Sequence, residues 1–272
     1  MSNLPAHATK HVAELAYTLP NGVLITVTQV NTAVDSTGRT IWLGAQVLSV
    51  YLYDLLGHPS KPFADAGRRK RVVELGAGTG LLSLSLLSLG YEVLATDLDI
   101  LVEGVLKRNI EQNEAAIRAG GAGEARIERK VLDWFEEPSE WVWRAGPEAA
   151  EALCPPFDII VTADTVYEPS LSQPLLRALR ALSSLSPAAP VYLALERRDP
   201  ALVTSFLSSA SEDWGFKCSR IEHARLRRVV EDKAGTLGWE DESEWDGIEV
   251  YKLKLGRARK GRTGIPSVVE KQ

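Results

Sequence analysis

The chain has 272 residues, 45% of them hydrophobic and 25% charged, with a formal net charge of −5. That apolar content suits one large domain with short extensions, and the acidic balance argues against nucleic acid as a direct substrate while suiting a basic partner. There is no run of about 18 apolar residues to span a membrane, and the opening Met1-Ser-Asn-Leu-Pro-Ala-His7 lacks the charged-then-apolar order of a secretory leader.

Residues 1–20 show little pattern and read as a flexible start. Leu24-Ile-Thr-Val-Thr-Gln-Val30 alternates after the turn signal Pro20-Asn-Gly22, which predicts a strand in a small N-terminal β-ribbon. Ile41 to Leu56 has helical spacing, ended by Gly57-His-Pro-Ser-Lys-Pro62. Strands and helices then alternate. Strand 71–75 leads to helix 79–89, strand 92–96 to helix 100–114, and a third strand covers 126–130. Pro138 to Pro156 is an irregular insertion, too long for a tight connection. Phe157–Ala163 is a continuous apolar run, as a parallel strand buried on both faces requires. Helix 171–185, strand 191–195, helix 201–211 and strands 216–222 and 248–255 complete the chain. No helix is evident between the last two strands, so they should pair antiparallel through a long loop. The expected fold class is α/β, a doubly wound, mostly parallel sheet of seven strands. Residues 256–272, with five Lys or Arg against Glu270, read as a disordered basic tail.

The stretch that organises this chain is Arg71-Val-Val-Glu-Leu-Gly-Ala-Gly-Thr-Gly-Leu81, a strand running through an acidic residue into glycines at alternate positions and then a helix. Leu81 stands where the dinucleotide-binding G-x-G-x-x-G fingerprint needs its last glycine, which argues against a nicotinamide-dependent dehydrogenase. Asp97 ends the next strand about 20 residues on, where a carboxylate can accept ribose hydroxyls or cap the following helix. Asp133-Trp134 follows the third strand. The indole could lie against adenine and the carboxylate accept from its amine, or Trp134 could be core. Asp164, Tyr167 and Glu168 follow the fourth strand and face the same crevice, with helix capping by Asp164 or Ser170 as the alternative.

Together these residues resemble methyltransferase family sixteen, the seven-β-strand protein-lysine methyltransferases. The resemblance is carried by Gly38-x-x-x-Trp42, Glu74-Leu-Gly-Ala-Gly-Thr-Gly80, Asp97, Leu132-Asp-Trp134 and Asp164-x-x-Tyr167, and covers about Gly38 to Leu195. It implies S-adenosylmethionine (AdoMet) as cofactor, lined by Trp42, Gly76, Ala77, Gly78, Asp97, Trp134 and Ala163. Asp164 and Tyr167 would face the target amine. Glu74 suits this ligand, since a carboxylate repels phosphate but tolerates a sulfonium and an ammonium. Phe135 departs from the glycine that family members often carry there, and the 138–156 insertion is long. The implied domain is 38–255, between an extension over 1–37 and the basic tail. The implied partner is a protein carrying a target lysine, and the chain is expected to be monomeric.

Glu196, at the end of the fifth strand, either receives a cationic side chain or pairs with Arg197 or Arg198. The acidic run Glu240–Asp246 either attracts a basic substrate or is a solvated loop with Arg225, Arg227 and Arg228 as partners. Cys154 and Cys218 lack metal-ligand spacing, and His7, His11, His58 and His223 are scattered, so no metal site is expected. Two unpaired cysteines suit a reducing compartment, cytoplasmic with a possible nuclear share. Rival activities on the same fold are methylation of a small nicotinamide-like base and AdoMet binding without catalysis.

Overall fold

The computed structural model describes residues 3–30, 37–57, 68–143, 152–232 and 237–256. In chain order these form α1 (Ala6–Thr9), β1 (Glu14–Thr18), β2 (Leu24–Thr28), α2 (Leu43–Leu56), β3 (Arg71–Leu75), α3 (Leu81–Ser88) and β4 (Glu92–Asp97). A short turn, α4 (Asp99–Leu101), runs through a kinked stretch, Val102–Leu106, into α5 (Lys107–Ile117). There follow β5 (Ile127–Val131), β6 (Ile159–Ala163), α6 (Pro169–Leu185), β7 (Val191–Glu196), α7 (Pro200–Glu212), β8 (Phe216–Arg220), α8 (His223–Glu231) and β9 (Ile248–Leu255).

The seven-stranded sheet has the order β5-β4-β3-β6-β7-β9-β8. β3 to β7 run parallel, and β9 runs antiparallel to both β7 and β8. All five residues of β6 are buried, as its unbroken apolar run requires of a strand covered on both faces. Successive strand residues feed opposite layers. Val72, Val161 and Ala194 join one core with α2, α3 and α5, while Val73, Ile160 and Leu193 join the other with α6 and α7. The strand order reverses between β3 and β6, and the crevice at such a switch point opens at their carboxyl ends.

The N-terminal segment is more ordered than its sequence suggests. β1 pairs antiparallel with β2, and residues 3–18 are docked rather than loose. Two glutamines hold this segment. Gln46 accepts from Ala6 N at 2.8 Å and donates to Leu4 O at 3.0 Å. Gln29 donates to Thr9 O and Val12 O, each at 2.9 Å, and accepts from Ile41 N at 2.7 Å. These are long-range side-chain bonds, which leave no periodic trace in sequence. The free edge of β2 is closed in the same way. Asn109 accepts from Thr28 N at 2.8 Å and donates to Thr28 O and to Thr79 O in the glycine turn. Asn109→Ala leaves three backbone groups without these bonds and should cost about 2–4 kcal/mol in urea unfolding.

A helix also stands where none was expected, between β8 and β9. Leu226, Val229 and Val230 give α8 a buried face, but its five remaining polar or charged residues mask the pattern over only nine positions. The predicted antiparallel pairing of β8 with β9 stands. Of the 138–156 insertion, Pro138–Glu140 forms a 3₁₀ turn. Residues 144–151 and the basic tail from 257 lie outside the described residues. Among the described residues no helix is long and apolar enough to cross a membrane.

Candidate active site

A cavity of about 560 Å³ opens at the carboxyl ends of β3, β4, β6 and β7. It collects Trp42, Glu74, Gly76, Ala77, Gly78, Asp97, Asp133, Trp134, Ala163, Asp164 and Tyr167. Glu168, expected in the same crevice, is not among its walls and instead stands exposed at the N-terminal end of α6. Residues far apart in the chain meet because each parallel strand delivers its last residues to the same edge.

The glycine turn is packed against the chain itself. Gly78 has φ +53, and a Cβ there would stand 2.8 Å from the carbonyl oxygen of Gly38. That glycine therefore admits the Gly38–Trp42 segment. Trp134 and Thr165 crowd Gly76 from the other side. Asp97 ties the turn to β4, accepting from Gly78 N at 2.7 Å and from Leu98 N at 2.8 Å. It keeps its place in the cavity wall, with burial raising its carboxyl above the usual range. Asp133 accepts from Phe135 N at 2.8 Å, which fixes the turn that presents Trp134.

Glu74 is 2% exposed and accepts a short hydrogen bond from the Ser83 hydroxyl on α3. Burial pushes its carboxyl up to about 8, with Asp97 adding to the rise. A proton held more tightly in the fold than in the unfolded chain stabilises at low pH. This stability is lost as pH rises from about 4.5 through about 8. Ligand-free protein should therefore weaken on going from pH 5.5 to pH 8, by at most about 1.4 kcal/mol per unit from this one group. Glu74→Gln should flatten that slope in urea unfolding.

Asp164 has φ +56, the single non-glycine residue in the left-handed region among the described residues. Its carboxylate accepts from Ala45 N at 3.0 Å and so caps α2, a helix 119 positions earlier in the chain. It does not cap α6, the helix that follows it. Gly44 makes room for this contact, since a Cβ there would lie 2.5 Å from both carboxylate oxygens. Burial pushes the Asp164 carboxyl up to about 7, and Glu196 adds to the rise while Ala45 N–H and Arg198 oppose it. Tyr167 lines the cavity and is 52% exposed, and Phe135, Ile100 and Leu98 of the same lining are exposed apolar side chains too.

Residues outside the family motifs also reach the site, Lys10 among them with no sequence signal. Glu196 reaches the cavity and forms a close ion pair with Arg198, the pairing that was one of its two sequence readings. Arg198 lies 4.8 Å from the Trp42 ring centroid, and the ammonium of Lys10 lies 3.7 Å from it. The acidic run 240–246 turns inward to partners. Glu242 pairs with Arg227 and His223, and Glu244 with His7. Arg225 and Arg228 instead bind Asp54. Among the described residues no group of three His, Cys, Asp or Glu could hold a metal ion.

The residues present fit AdoMet. Trp134 Nε1 and Thr40 Oγ1 are buried at the cavity without a hydrogen-bond partner among the described residues. Such orphaned polar groups call for a polar ligand. Apolar walls from Leu98, Ile100 and Leu132 suit a planar base, and the Asp97 carboxylate suits hydroxyl groups, while Glu74, protonated below about pH 8, lines the wall as a neutral carboxyl rather than the charged group expected from sequence.

Comparison with known proteins follows the same direction. Residues 24–213 match a family model described as lysine methyltransferase. The chain is 27% identical over 176 residues to human methyltransferase-like protein 22, covering 61% of this chain and 40% of that protein. It is 29% identical over 199 residues to the protein-lysine N-methyltransferase EFM3 of Saccharomyces cerevisiae, covering 69% and 52%. It is 32% identical over 154 residues to the bovine protein-lysine methyltransferase METTL21E, covering 54% and 44%. The chain thus spans about half the length of these curated relatives. With the model matched across β2 to α7 and Trp42, Glu74, Asp97, Trp134, Asp164 and Tyr167 of the motifs on one cavity, the chain belongs to the lysine methyltransferase family.

Proposed function

We propose that the chain transfers a methyl group from AdoMet to a lysine ε-amine of a protein substrate. The observation that carries this is the single cavity in which a cofactor-type wall, Glu74 to Gly78 with Asp97 and Trp134, meets Asp164, Glu196 and the exposed Tyr167. Bound AdoMet supplies an activated methyl on a sulfonium that leaves as a neutral thioether. The chain's residues then have to position the amine and let it lose a proton, which at pH 7 costs about 4.6 kcal/mol from a pKa near 10.4.

Asp164 is suited to orienting the amine rather than to acting as a strong base, because a full carboxylate charge would raise the amine's pKa. Its elevated carboxyl, held by Ala45 N–H, lessens that penalty. The Arg198 guanidinium nearby also disfavours a second cation. Tyr167 offers an aromatic face to the methylated cation at the mouth. An open mouth with an exposed apolar rim favours a protein over a closed-pocket small molecule. The names of the yeast and bovine relatives point to the same substrate class.

We take residues 38–255 as the transferase domain, acting as a monomer in the cytoplasm or nucleus. Free thiols at Cys154 and Cys218 support a reducing compartment. Calorimetric titration with AdoMet tests the cofactor. Radiolabelled AdoMet with a lysate of cells lacking this protein, followed by mass spectrometry of labelled bands, tests the reaction. Binding without label in any protein would sink the transferase reading and leave a binding module.

A further inference from the structure

We infer that the ε-amine of Lys10 is itself a target of the transfer proposed above, methylated in cis by its own chain. The inference rests on that reading of the site and on three observations about the N-terminal segment.

First, Lys10 is delivered to the site by the fold. It follows α1, and Gln29 grips both sides of it through Thr9 O and Val12 O while binding Ile41 N, the residue beside Trp42. Gln46 fixes the preceding turn through Ala6 N and Leu4 O. Gln29 and Gln46 are 3% and 0% exposed, so these clamps belong to the core.

Second, the ammonium of Lys10 already occupies surroundings that suit a methyl-accepting amine. It lies 3.7 Å from the centroid of Trp42, a cavity-lining aromatic, as a cation on an aromatic face does. The carboxylates of Asp164 and Glu196, the acidic groups of the reaction end of the cavity, both act on it electrostatically. The flexible four-carbon stem lets the amine swing from the Trp42 rim toward Asp164 while the backbone stays clamped.

Third, this environment helps the amine lose its proton. Partial burial and the neighbouring Arg198 charge lower the pKa of Lys10 below its ordinary value, against the pull of Glu196 and Asp164. The transfer then balances simply. A proton goes from Lys10 to water, and the freed Nζ lone pair forms a bond to the sulfonium methyl carbon. The carbon–sulfur bond breaks, with its electron pair left on a neutral thioether.

The test uses the full chain. Purified protein incubated with AdoMet, digested and read by mass spectrometry should carry methyl groups on Lys10. Tenfold dilution of the protein should leave the fraction modified per unit time unchanged, as a reaction within one molecule requires. Lys10→Arg should lose the label, and Asp97→Ala should lose it with AdoMet affinity. A readout independent of turnover is competitive acylation of the AdoMet-free protein across pH. Lys10 should show a midpoint below that of an ordinary lysine side chain, and Trp42→Ala should shift it. Methylated lysate proteins with Lys10 unmodified would overturn the inference while leaving the proposed function standing. A modification rate proportional to protein concentration would overturn it also. No AdoMet binding and no label anywhere would remove both.

Discussion

Asp164→Ala should lower kcat for methyl transfer by at least about a hundredfold, because a small misplacement at the reacting centre is enough for a loss of that size. The carboxylate stands between α2 and the cavity and does two jobs. Removing it deprives Ala45 N–H of its acceptor, at a stability cost of about 0.5–2 kcal/mol. It also takes away the group proposed to orient the amine. AdoMet affinity, measured by calorimetry, should change far less, since the Glu74–Gly78 turn and Asp97 are untouched. Asp164→Asn separates the jobs: its amide oxygen can still cap α2, so stability should return while transfer remains impaired. Full activity in Asp164→Ala would remove this residue from the mechanism. Because the Asp164 carboxyl titrates near 7, its proton is released across neutral pH. The stabilisation from holding that proton is lost as pH rises through about 7, and Asp164→Asn should show a flatter stability profile there.

Gly44→Ala should be nearly as damaging, although glycine at that position drew no attention from sequence. A Cβ would sit 2.5 Å from both oxygens of Asp164, closer than real Cβ contacts come. Either the carboxylate leaves its cap or the start of α2 moves away from β6. Overpacking of this kind costs about 1–3 kcal/mol. For a protein of this size each kcal/mol lowers Tm by about 2–4 °C. Transfer activity should fall alongside, because the displaced group is Asp164. A double-mutant cycle isolates the cause. Gly44→Ala combined with Asp164→Ala should be less destabilised than the sum of the single changes, since the clash disappears with the carboxylate. Additive effects would show that Gly44 matters for another reason.

These two predictions mark where local pattern stops being informative. The α/β class, the parallel centre and the antiparallel closing pair were legible because apolar periodicity reports burial residue by residue. The unbroken run 157–163 matches a β6 with every residue buried. The residues gathered in the cavity were legible too, since strand ends in an open parallel sheet share one edge. Helix α8 was not, because three buried apolar residues in nine positions give too short a pattern to stand out among charges. The order of residues 3–18 was also hidden, since it depends on Gln29 and Gln46, whose partners lie from 12 to 42 positions away.

The amino-acid sequence by itself determined the fold class, the cofactor-type turn and the residues that reach the crevice, because each depends on local spacing and strand order. What those residues do to one another was decided by the tertiary structure. Only there does Gly78 accommodate Gly38, Asp164 cap a helix 119 residues away, Glu74 hold a proton against burial, and Lys10 come to rest on Trp42. The physical reason is that hydrogen bonding, desolvation and steric fit act between neighbours in space, and parallel crossover connections make neighbours of residues that are far apart in the chain.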